Sequence, residues 1–116
     1  TRLGEALGGR RDTFSGLAGM GDLIATCISP QSRNRHVGER LGKGDTIEEI
    51  IAAMDMVAEG VKTSKVVMEL ADELGVDMPI ASEVKAVCHD GRPAEQAYHG
   101  LLRRDAGPEV RRAPSR

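Results

Sequence analysis

Tryptophan is absent, and Phe14 and Tyr98 are the only aromatic residues among 116. Proteins that grip single-stranded nucleic acid stack bases on aromatic side chains, so that class is excluded. No excess of positive charge exists either. Sixteen Lys and Arg stand against eighteen Asp and Glu, a net charge of −2. A chain so balanced is neither a general nucleic-acid binder nor a membrane-surface binder, and any anion site must be local. Cysteine is scarce: Cys27 and Cys88 lie far apart and match no metal-ligand spacing. They read as free thiols in a reducing compartment and as small core residues. His36, His89 and His99 are scattered without an HExxH-type pair, so no metal site is expected. Neither a signal peptide nor an apolar run of membrane-spanning length is visible, which points to a cytoplasmic protein.

What is present is aliphatic. Forty per cent of the chain is hydrophobic, enough for one modest core and too little for two independent domains. The opening "TRLGEALGG" lacks an initiator methionine and reads as the last turns of a helix. The expectation is the carboxyl-terminal part of a longer protein.

Helical periodicity runs through the rest, and no segment alternates as a strand. Asp12 is placed to cap a short turn around Phe14. Leu17 to Ile28 is long and rich in Ala and Met, which favours a buried helix over a buried strand. Ser29-Pro30 reads as an N-cap followed by proline at the first helical position, opening a helix that stops near Gly42 or Gly44. Its one clear apolar pair is Val37 and Leu41. Thr46-Ile47-Glu48-Glu49 is a capping-box signature with Ile47, Ile50, Ile51 and Met54 on one face. A longer helix from about Gly60 carries Val67, Leu70, Ala71 and Leu74 and ends at Gly75. Pro79 opens the next, with Ile80, Val84 and Val87 in register and Asp90-Gly91 as its stop. Pro93 opens the last, with Ala94, Ala97, Tyr98 and Leu101 inward. Met54, Met56, Met68 and Met78 read as core filler. From Asp105 onward the polar, Pro- and Arg-bearing tail has no apolar period and is expected to be disordered. The fold class is all-α, a multi-helix globular domain over residues 1–104.

The chemistry concentrates in "GLAGMGDLIATCISPQSRNRHVG". Gly16, Gly19 and Gly21 permit close backbone approach and positive φ ahead of Asp22. The next helix start offers unpaired N–H groups together with Ser32, Arg33 and Asn34, a set suited to a phosphate-sized anion. An ordinary solvated helix start, its arginines paired with local carboxylates, fits the same residues. Asp22 likewise reads either as a structural N-cap or as a functional carboxylate. No GxGxxG occurs, so nothing suggests a dinucleotide-binding half.

Three blocks then carry a resemblance: "TFSGLAGMGDLIATCISPQSRNRHVGERLGKG", "MVAEGVKTSK" and "GVDMPIASEVKAV". In order and spacing, from about Thr1 to Arg104, the chain resembles the carboxyl-terminal domain of bacterial NAD(P)-dependent glycerol-3-phosphate dehydrogenases. The resemblance implies a helical substrate domain of the 6-phosphogluconate dehydrogenase C-terminal-like type. It implies an amino-terminal Rossmann domain as partner, NAD or NADP as cofactor held mainly by that domain, and a homodimer. The implied reaction interconverts dihydroxyacetone phosphate and sn-glycerol 3-phosphate, feeding glycerophospholipid synthesis.

Carried onto this sequence, the family's substrate contacts fall on Asp22, Ser32, Arg33 and Asn34, and its cofactor contacts on Arg33, Val57 and Glu59. By physics alone Glu59 is a helix-start carboxylate, and His36 is a solvated helix position. The resemblance also implies a catalytic lysine upstream of Thr1, and no lysine precedes Lys43. Asp22, expected to be buried, would then hold that lysine or a substrate hydroxyl in a supporting role. The alternative is a non-catalytic helical module reusing the fold for interaction or dimerisation.

Overall fold

The computed structural model describes residues 1–103, and the expectation for the tail falls outside that range. All regular structure among the described residues is helical, as the periodicity predicts. The helices are α1 (Arg2–Ala6), α2 (Arg11–Ser15), α3 (Asp22–Ile28), α4 (Arg33–Gly42), α5 (Ile47–Ala53), α6 (Glu59–Glu73), α7 (Pro79–His89) and α8 (Ala94–Leu102). A π-turn over Leu17–Gly21 links α2 to α3.

Burial divides these elements into an arm and a body. From α4 onward every helix contributes at least one buried residue, whereas α1, α2, the π-turn and α3 contribute none. The core is a cluster of Val37, Ile47, Ile50, Ala58 and Val61, with Leu41, Met54 and Cys88 packed against it. It holds α4, α5 and the start of α6 together, while α7 lies along α6 and α8 along α7. His89 fastens α7 to α6: a carbonyl oxygen can only accept, so Nε2 donates to Val61 O at 2.6 Å.

Local signals account for most boundaries. Thr46 Oγ1 accepts from Glu49 N at 3.2 Å, and Glu49 Oε2 accepts from Thr46 N at 2.8 Å, completing the expected capping box. Pro79 occupies the first turn of α7. The chain leaves α6 and α7 through Gly75 and Gly91, whose φ values of +63° and +71° suit glycine.

Other expectations are corrected. Arg10, not Asp12, occupies the N-cap position of α2, and Asp12 lies inside its first turn. Ser29-Pro30 does not open α4: Pro30 and Gln31 form a turn and Ser32 is the N-cap. Ile51, Leu74, Ile80, Val84 and Tyr98 are exposed, because α5 to α8 each bury a stripe narrower than their apolar content. Met56 is exposed on the loop before α6, and Cys27 is exposed on α3. Only Cys88 keeps its core placement, half-buried, and that burial pushes its thiol pKa up. The Leu17–Ile28 run is helical but not buried: Leu17 is 91% exposed, and Leu23, Ile24 and Ile28 are more than half exposed.

Ile50 is fully buried and Ile80 is 67% exposed, although both sit in apolar register. Ile50→Ala should therefore cost about 2–5 kcal/mol of unfolding free energy. Ile80→Ala should cost no more than about 0.5 kcal/mol. Denaturant midpoints of the two variants check this directly, and equal losses would contradict the assigned core.

Candidate functional site

The site is built where two helices begin. The cluster that buries Val37 also buries Ala58 and Val61, so it draws the first turn of α4 beside the first turn of α6. Ser32 caps α4, its Oγ accepting from Arg35 N at 3.3 Å. Arg33 and Asn34 follow as the first two helical residues. On the other side Ala58 takes the N-cap position of α6, followed by Glu59 and Gly60.

Side chains join the two starts. Arg33 Nη1 donates to Val57 O at 3.4 Å, and its Nη2 lies 3.4 Å from Met56 Sδ. Asn34 Oδ1 accepts from Gly60 N at 3.1 Å. Arg33, Asn34, Val57 and Glu59, which the resemblance assigns to the substrate and cofactor contacts, thus lie at two joined helix starts. Each helix start carries a partial positive charge, the Arg33 guanidinium adds a full one, and the Glu59 carboxylate in the first turn of α6 offsets part of it.

Arg35, the second arginine of the motif, is structural. Its Nε donates to Glu39 at 2.8 Å and its Nη1 to Ile28 O at 2.6 Å, tying the end of α3 to α4. The hydrogen bond from Arg35 holds the Glu39 carboxyl below the usual carboxylate range. His36 is exposed, as its position predicts.

Asp22 and the glycines stand apart. Asp22 is the first residue of α3 and is exposed, against the expectation of a buried carboxylate. It does not act as an N-cap either, because Gly21 occupies that position. Six residues separate it from Ile28, about 9 Å along the helix at 1.5 Å per residue. No hydrogen bond joins it to Ser32, Arg33 or Asn34 among the described residues. The glycines before it adopt no positive φ. Gly19 serves close packing instead: a Cβ there would lie 2.1 Å from Phe14 O. The GLAGMGD stretch is a π-turn against α2, not a phosphate cradle. Its arm packs mainly on itself, which is why Asp22 is not enclosed.

Sequence reasoning missed Gly60. The available signal was a glycine just inside a helix start, where a lost side chain is unfavourable without a close neighbour. Among the described residues no group of three or more His, Cys, Asp or Glu could hold a metal ion, and no helix is long and apolar enough to cross a membrane.

Residues 1–99 match the family described as the NAD-dependent glycerol-3-phosphate dehydrogenase C-terminus. The chain belongs to this family. A Mycobacterium avium protein named glycerol-3-phosphate dehydrogenase [NAD(P)+] is 61% identical over 110 residues, covering 95% of this chain and 32% of its own length. A protein of the same name from Prosthecochloris aestuarii is 51% identical over the same share of this chain. The crystal structure of glycerol-3-phosphate dehydrogenase from Coxiella burnetii superposes with a TM-score of 0.84 at 38% identity, over 89% of this chain and 32% of that one. The chain therefore spans about a third of the length of these family members.

The Ser32 cap has a consequence separate from any ligand. Ser32→Ala should lower stability by about 1 kcal/mol, and Ser32→Asn should recover most of that. Chemical denaturation without ligand checks it; an unaffected Ser32→Ala would remove the cap from the account of how α4 begins.

Proposed function

We propose that this chain is the helical substrate domain of an NAD(P)-dependent sn-glycerol-3-phosphate dehydrogenase, acting with an amino-terminal Rossmann domain. The observation that supports it best is the joined pair of helix starts, with Arg33 and Asn34 bonded to the Val57–Gly60 segment. Arg33 supplies a permanent positive charge, Asn34 amide donors and Ser32 a hydroxyl for the phosphate of dihydroxyacetone phosphate or sn-glycerol 3-phosphate. Gripping the phosphate fixes the remote end of a three-carbon substrate and so places its reacting carbon.

The residues toward the cofactor fit a contact at its edge rather than a cradle. Arg33 reaches Val57 O, and Glu59 is exposed beside it at the start of α6, while no glycine-rich phosphate loop is present. NAD(P), when bound, supplies the redox chemistry. Arg33, carried over as both a substrate and a cofactor contact, would touch both groups. Asp22, exposed and without a hydrogen-bond partner among the described residues, is available to orient a cationic group or a substrate hydroxyl brought to it. That partner would be the lysine implied upstream of Thr1. The exposed arm, with Leu17, Leu23, Ile24 and Ile28, is the surface that the rest of the enzyme would cover. A homodimer and a cytoplasmic location accompany this reading.

Arg33→Ala in the intact enzyme should lower kcat/KM for dihydroxyacetone phosphate at least about tenfold, the worth of one charge-assisted phosphate contact. The Thr1–Arg116 chain alone should not oxidise NADH or NADPH with that substrate. Wild-type kinetics in the variant, or turnover by the isolated chain, would contradict the assignment.

A further inference from the structure

Asn34 can meet the phosphate with either end of its amide, and the two ends are opposite in chemistry. The oxygen accepts and would repel an anion, whereas the NH2 donates and attracts one. Gly60 decides between them. A backbone N–H can only donate, so the atom 3.1 Å from Gly60 N must be Asn34 Oδ1. With Oδ1 committed to Gly60 N, the Nδ2 end is the one left without a hydrogen-bond partner among the described residues, although it too lies against Gly60.

A side chain at position 60 would have to displace the Asn34 amide. A Cβ built on Gly60 would lie 2.6 Å from Asn34 Oδ1 and 2.9 Å from Nδ2. Behind the pair lies a mainly apolar groove of about 390 Å³, lined among others by Val37, Val61, Val84 and Cys88. Its carboxylate, Glu83, is already paired with Arg92. A carboxylate accepts and cannot donate to Oδ1, so an amide pushed off Gly60 meets no donor there stronger than the Cys88 thiol among the groove side chains.

We propose that Gly60 is a positioning residue: its N–H and its missing side chain fix the Asn34 amide with the NH2 toward the phosphate. The inference rests on the phosphate reading of the site. It also links the two helix starts, since a change at position 60, next to Glu59, reaches the phosphate through Asn34.

The test uses the intact enzyme with Gly60→Ala, Asn34→Ala and Asn34→Asp. Inorganic phosphate serves as a competitive inhibitor, and melting temperature is read alongside. Gly60→Ala should raise the phosphate inhibition constant about tenfold, the equivalent of one lost charge-assisted hydrogen bond. Asn34→Asp keeps an acceptor for Gly60 N–H and adds a carboxylate to a helix first turn, so its melting temperature should match or exceed that of Asn34→Ala. It nevertheless puts a carboxylate oxygen where the NH2 was, so it should bind phosphate more weakly than Asn34→Ala. Phosphate binding by Asn34→Asp equal to or tighter than by Asn34→Ala would overturn the proposal, even if Gly60→Ala failed to fold. An unchanged constant in a folded Gly60→Ala would overturn it as well. If Arg33→Ala weakens phosphate while these variants behave otherwise than expected, the positioning role alone fails. If Arg33→Ala also leaves phosphate binding intact, the phosphate reading fails with it.

Discussion

Val37 packed with Ile47, Ile50, Ala58 and Val61 is the contact on which the rest of the molecule depends. Val37 lies one turn beyond Arg33, and Ala58 and Val61 flank Glu59 and Gly60. Burying these small aliphatic side chains therefore does more than stabilise α4, α5 and α6. It sets two helix starts side by side and gives their polar residues a rigid base. The hydrogen bonds from Arg33 to Val57 and from Gly60 to Asn34 then have little left to order. Each of those bonds is exposed and modest, so neither could hold two helices together without the core beneath.

The sequence was most legible where a local rule is strong. The Thr46–Glu49 box, proline at the start of α7 and glycine after α6 and α7 depend on nearest neighbours, and all stand as read. It was least legible where burial depends on what lies opposite. Ile80 and Tyr98 have the right spacing, yet nothing in the described chain covers them. The Leu17–Ile28 run shows the same limit at larger scale: apolar content predicts a helix but not what covers it. Cys27 went with it, read as core and found on the exposed arm.

The site was legible in composition and not in geometry. Ser32, Arg33 and Asn34 stand out as donors at a helix start, and their clustering with Val57 and Glu59 follows the family pattern. That Ser32 rather than Ser29 caps α4 depends on the turn through Pro30 and Gln31, which spacing did not reveal. Gly60 is silent in sequence because its role is a missing side chain beside Asn34. Asp22 lies on a different helix from Arg33 and Asn34, and its side chain is exposed and unpartnered among the described residues.

The central claim is that the starts of α4 and α6 form one anion-facing unit. Backbone amide chemical shifts of the isotopically labelled chain, followed while sn-glycerol 3-phosphate is added, test it most directly. The account predicts that the amides of residues 32–35 and 58–61 move together along a single binding curve, with α8 unaffected. Movement confined to one helix start, separate curves for the two, or shifts centred on the π-turn glycines would contradict it.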